Sequence, residues 1–91
     1  MKIFAMYDTK AQCYLQPFPE TSTIAALRGF EVAVNEGKST FNRFPDDFCL
    51  MELAEFNQDT GQIVPLMTPN NLGSARTVLK NPASQIDLIK Q

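Results

Sequence analysis

The sequence predicts an α+β domain: a mostly antiparallel four-stranded sheet, made of two hairpins, with one long helix packed on one face. Three observations carry this. Runs of alternating Ile, Phe, Tyr, Met and Leu stand in pairs, each pair separated by a polar turn, which is the pattern of half-buried strands. An amphipathic segment with apolar residues at helical spacing lies between the two pairs. The chain has 91 residues with 44% apolar and 20% charged side chains, ordinary for one globular core and too short for two.

Lys2 to Tyr7 alternates and contains Ile3, Phe4 and Tyr7, so it reads as the first strand. Asp8-Thr9-Lys10 breaks it, and Ala11 to Gln16 returns as the second, giving a hairpin over Lys2–Gln16 that brings Tyr7 near Tyr14. Pro17-Phe18-Pro19 ends that strand, because neither proline donates to a ladder. Thr21, Ser22 and Thr23 are three candidate N-caps for a helix that runs to Glu36 and stops at Gly37. At about 100° per residue, Ala26, Leu27, Phe30, Ala33 and Val34 share one stripe facing the core. Gly29 inside the helix implies a close backbone approach, and Val32 lies off the stripe as a second contact surface. Lys38 to Phe44 reads as one helical turn or an ordered loop. Phe48 to Phe56 is the third strand, with Cys49, Met51 and Leu53 on one face and Phe48, Leu50, Ala54 and Phe56 on the other; Glu52 interrupts the second face, which is then only partly covered. Asn57 to Gly61 turns the chain with glycine where a positive φ is wanted. Gln62 to Leu66 is the fourth strand, closing a hairpin over Phe48–Leu66, and Pro65 puts it at a sheet edge. Thr68 to Gly73 reads as a turn-rich connection, and Ser74 caps a short helix to Leu79. One domain over residues 1–80 and a tail over 81–91 are expected. The thin core, the half-open face with Phe48, Leu50 and Phe56, and the apolar Ile86, Leu88 and Ile89 of the tail together predict a homodimer.

Composition narrows the chemistry. There is no histidine, so Ser–His and Cys–His arrangements are excluded, and no cysteine cluster offers a metal site; an enzyme, a metal and a cofactor are not expected. Cys13 and Cys49 are read as buried, reduced thiols in a cytoplasmic protein. The apolar start, Met1 to Tyr7, is too short for a signal peptide or a membrane span. Gly37-Lys38-Ser39-Thr40 ends like a phosphate-binding loop, but Val32 stands where the first glycine is required, and the segment follows a helix. Asp46 and Asp47 read as turn-makers, and Glu52 and Glu55 as pointing to opposite faces of one strand. Lys38, Phe41, Asn42, Arg43 and Phe44 read by themselves as a solvated loop with its two phenylalanines tucked into the core; the alternative is a candidate nucleic-acid-binding set in which cations meet phosphates and rings stack on bases. The net charge of −2 argues against a surface basic all over.

Several phrases carry a family likeness: Tyr7-Asp8 then Lys10-Ala11, Tyr14-Leu15 followed by Pro17-Phe18, and Arg28 with Phe30 leading to Val34-Asn35-Glu36-Gly37. Further on stand Phe44-Pro45 with Asp47, then Leu50, Leu53 and Phe56 at a three-residue spacing, then Thr60-Gly61. The chain resembles the small non-structural protein of gokushoviruses, microviruses (Microviridae) with circular single-stranded DNA genomes. The resemblance implies a bacteriophage accessory protein in the host bacterial cytoplasm. Its role would lie in viral DNA replication, at the switch to single-strand synthesis, and in packaging, with single-stranded DNA and phage replication or capsid proteins as partners. It brings no catalytic residue with it. A homo-oligomeric protein-interaction module that never touches DNA is the alternative.

Overall fold

The computed structural model describes residues 1–80; the tail and its Ile86, Leu88 and Ile89 lie outside the described residues. The elements follow the order β1 (Lys2–Asp8), β2 (Cys13–Tyr14), β3 (Phe18–Glu20), α1 (Thr23–Asn35), α2 (Thr40–Arg43), β4 (Phe48–Phe56) and β5 (Ile63–Ser74), with a final 3₁₀ turn over Ala75–Val78. Every strand pairing is antiparallel, in the order β2-β1-β4-β5, with β3 also on β1. The α+β architecture and its single long helix are as expected.

The first hairpin is less regular than its sequence suggests. Asp8 accepts the amides of Lys10 and Ala11 with its side chain, and its carbonyl accepts that of Gln12, whose φ is 57°. This turn consumes residues expected in the second strand, so β2 is reduced to two exposed residues and Cys13 is exposed rather than buried. Nor do the prolines end the pairing. Tyr7 faces Tyr14 and Phe4 faces Phe18, so three steps along β1 match four along its partner. β2 and β3 are therefore one edge strand interrupted by a one-residue bulge beside Pro17, and Pro19 is tolerated because its other side faces solvent.

Ser22 is the cap of α1, its hydroxyl accepting the Ala25 amide at 3.1 Å. Ala26, Phe30 and Val34 are fully buried and Leu27 packs beside them, so the predicted stripe is the one that docks. The helix ends at Asn35 with an extended cap at Glu36, and Gly37 is not left-handed. The terminator is instead Asn35, whose side-chain amide donates to the carbonyls of Glu31 and Val78 while its oxygen accepts the Lys80 amide. Gly29 is exposed and nothing stands within 4 Å of where its Cβ would be, so no close approach explains it.

The core joins Phe4 of β1, the α1 stripe, Phe48 and Leu50 of β4, and Ala75. β4 has the predicted bounds but not the predicted faces. Phe4 pairs with Glu52 and Ile3 with Ala54, which leaves Leu53 as an extra residue. Antiparallel partners share a face, so the bulge keeps Phe48, Leu50 and Glu52 under the helix, sends Ala54 to the far face, and returns Glu55 to the side of Glu52. Phe48 and Leu50 are thus core rather than a half-open surface. Glu52 does not mark a partly covered face; it is 6% exposed, and Lys2 Nζ donates to it at 3.2 Å and Asn70 Nδ2 at 3.4 Å. The β4–β5 turn uses Gly61 at φ +78°, as expected. β5 runs on through the segment expected to be loop, because Asn70, Asn71 and Ser74 find partners on Glu52, Met51 and Cys49.

Candidate nucleic-acid interface

The five candidate residues divide by direction. Ser39 caps α2, its hydroxyl accepting the Asn42 amide at 3.0 Å, and the four-residue helix that follows turns Phe41 and Asn42 inward and Thr40 and Arg43 outward. Phe41 faces inward and meets the Phe48 ring edge-on, centroids 4.9 Å apart. Asn42 is buried, 3% exposed, and its side-chain amide donates to the Val34 carbonyl at 3.0 Å. That carbonyl belongs to the last turn of α1, where no intrahelical donor remains. Lys38, Arg43 and Phe44 stay at the surface. The Arg43 guanidinium lies 5.8 Å above the Phe44 ring, within cation–π range, and half of Phe44 (51%) is exposed. Lys38 lines an open cleft with Glu36, Gly37 and Ser39.

A second segment joins this one, and only the tertiary fold brings it there. The Thr9 amide and hydroxyl both donate to the Asp47 carbonyl, at 2.8 and 3.0 Å, and the Asp47 amide donates to the Phe44 carbonyl at 3.1 Å. The Asp8–Gln12 turn, with the exposed Lys10 in it, is therefore tethered at Asp47 to the loop that follows Phe44. Tyr14, 44% exposed, leans edge-on against Tyr7 at 4.8 Å on the same hairpin, as its spacing predicted.

The electrostatics separate bound from unbound cations. Lys2 is held by Glu52, Arg76 by Asp46 and Lys80 by Glu31, whereas among the described residues Lys10, Arg28, Lys38 and Arg43 form no ion pair. Asp46, read from sequence as a turn-maker, uses both oxygens on Arg76 at 3.0 and 2.9 Å. Those hydrogen bonds and the guanidinium charge hold its carboxyl below the usual range and raise Arg76 above its own. Asp8 is engaged with two amides. Asp8 and Asp46 thus have partners of their own, while Lys38 and Arg43 have no ion pair among the described residues.

Comparison with known proteins places the chain. It matches the Phage ORF5 protein family over residues 1–78, from β1 through the 3₁₀ turn. It is similar to Protein ORF5 of Chlamydia phage 1, 33% identical over 70 residues that span 72% of this chain and 73% of that protein. No solved structure matches it. The likeness read from the sequence phrases holds, and the chain belongs to the Phage ORF5 protein family.

Proposed function

We propose that this phage accessory protein, without catalysis of its own, acts in single-stranded DNA genome replication and packaging by weak, sequence-independent binding of single strands. One observation carries the reading: Lys38 and Arg43 are exposed and form no ion pair among the described residues, and Arg43 lies against a half-exposed phenylalanine ring in the same segment. Cations of that kind hold phosphates and an open ring face stacks on a base, worth roughly 1–3 kcal/mol per base. The helix α1 does not suit a major groove, since Arg28 is its only cation. Lys10, next to the Thr9 that is tied to Asp47, would extend the surface along a strand by about one more phosphate.

Fluorescence anisotropy of a labelled oligonucleotide across a salt series tests this. Two or three neutralised phosphates on a single strand give a log–log salt slope of about −1.4 to −2. Lys38→Ala/Arg43→Ala should flatten the slope, and Phe44→Ala should weaken binding while leaving the slope alone. No binding at low salt, or binding untouched by the double substitution, refutes the site. The first of those outcomes moves the reading to a protein-interaction module.

A further inference from the structure

Strand β5 exposes an unusual amount of apolar surface. Its twelve residues, Ile63 to Ser74, carry no charge, and among the described residues it lies at the edge of the sheet with no strand on its outer side. Between the pairs Ala54–Pro65 and Glu52–Asn70, β4 supplies one residue and β5 supplies four, Leu66 to Pro69. Proline stands at the last paired position before this outward bulge and again at its end. Met67 sits within it with its side chain wholly in solvent, and Ile63 and Val64 beside it are more than half exposed. Edge strands are guarded by charge, proline or bulges; this one has no charge, and Pro65, Pro69 and the bulge guard it against open-ended pairing while leaving an apolar surface exposed.

The same chain carries the complement of that knob. Met1, Ile3, Pro17, Phe18, Pro19, Phe56 and Ile63 enclose an open cleft of about 300 Å³ that is apolar on every side. We propose that two copies of this chain pair about a two-fold axis, Met67 of each entering the cleft of the other. A thioether chain, unbranched and adaptable, suits an irregular apolar cleft. A symmetric interface requires one patch to be complementary to itself, and here knob and cleft share β5 through Ile63. Two uncharged strands meet without like-charge repulsion, whereas a partner recognised by charge finds no group on β5 to pair with. Because Leu66 to Pro69 bulge out, the strand runs alongside only the eight residues Cys49–Phe56 of β4, about 27 Å, and a strip about 20 Å wide covers about 550 Å² per copy, about 1,100 Å² for the pair, just above what a specific interface needs. Pro65 and Pro69 remove two donors from the edge, which disfavours open-ended strand addition and favours a closed pair.

Sedimentation equilibrium of the full chain over micromolar concentrations, without DNA, tests this independently of the nucleic-acid reading. The wild type and Met67→Leu should be dimers. Met67→Glu should raise the dissociation constant by on the order of a hundredfold or more, with an unchanged circular dichroism spectrum. In a dimer mixed from labelled and unlabelled chains, the Met67 methyl should show intermolecular contacts to Ile3 or Phe18. A wild type that stays monomeric, a Met67→Glu variant that dimerises as well as the wild type, or assemblies growing beyond two copies would each overturn the proposal.

Discussion

Replacing Gly29 by alanine should stabilise the protein, and the size of the effect can be worked from its surroundings. Gly29 is the seventh residue of the thirteen in α1, so it lies in the helix interior where fraying does not soften propensity. Glycine there costs about 0.8–1.0 kcal/mol relative to alanine, because the backbone freedom it holds when unfolded is lost on folding. A methyl group would meet no atom within 4 Å, so no steric term subtracts from that gain. The residue is exposed, so burial of the methyl adds almost nothing. The expected gain is therefore about 0.8–1.0 kcal/mol, which for a domain of this size raises the melting temperature by roughly 4–8 °C. Gly73 is the internal control: its φ is +121° and a Cβ would stand 3.2 Å from Thr77 Oγ1, so Gly73→Ala should destabilise. Urea denaturation and thermal melts of both variants measure this. A Gly29→Ala variant no more stable than the wild type refutes the reasoning.

Two further outcomes follow from burial. Cys13 is exposed and Cys49 buried, so a maleimide should modify one thiol of the native protein at once and the second only on unfolding. Burial raises the Cys49 thiol above its ordinary pKa of 9.0; the folded state thus holds its proton the tighter, stability is unaffected below pH 9.0, and it should decline as pH rises from there toward the folded value. Cys49→Ala should remove that alkaline component, read from melts at a series of pH values. Asn42→Ala should cost about 1–3 kcal/mol in urea denaturation, because the Val34 carbonyl loses its donor in a buried site. Arg43→Ala, one residue on, should change stability by no more than about 0.5 kcal/mol, which separates the residue that holds α2 in place from the one offered to a ligand.

The link between the fold and the proposed function runs through the loop that joins α2 to β4. Arg76 reaches back to Asp46 and its amide donates to the Pro45 carbonyl, while Thr9 binds the Asp47 carbonyl. Two separate parts of the chain, at Thr9 and Arg76, fasten residues 45–47, so Arg43 and Phe44 are presented from a fixed base. In a two-fold pair each such surface would be duplicated. A single strand long enough to reach both would then bind more tightly than one copy allows, through effective concentration alone.

Local chemistry decided what could be read from the chain by itself. The stripe of α1 needs only the 3.6-residue period, the Ser22 cap needs only a hydroxyl before it, and Phe48–Phe56 announces itself by length and apolar content. The family likeness was carried by phrases along the chain and needed no coordinates. Bulges, by contrast, belong to pairs of strands. Leu53 is a bulge only because Ile3 and Phe4 take Ala54 and Glu52 as partners, and that one extra residue reversed the faces of Ala54, Glu55 and Phe56. The same holds for Pro17 to Pro19, excluded from a strand by their missing donors and readmitted by an outer edge that needs none. Glu52 looked like an interruption until Lys2 and Asn70 came to it from other strands. Of the five candidate interface residues, Lys38, Arg43 and Phe44 are exposed, while Phe41 and Asn42 turn to Phe48 and Val34, partners seven and eight residues away in sequence. Side-chain type predicts what a residue can do, but whether it faces solvent or core depends on which distant segment arrives beside it, and only the folded chain brings that segment there.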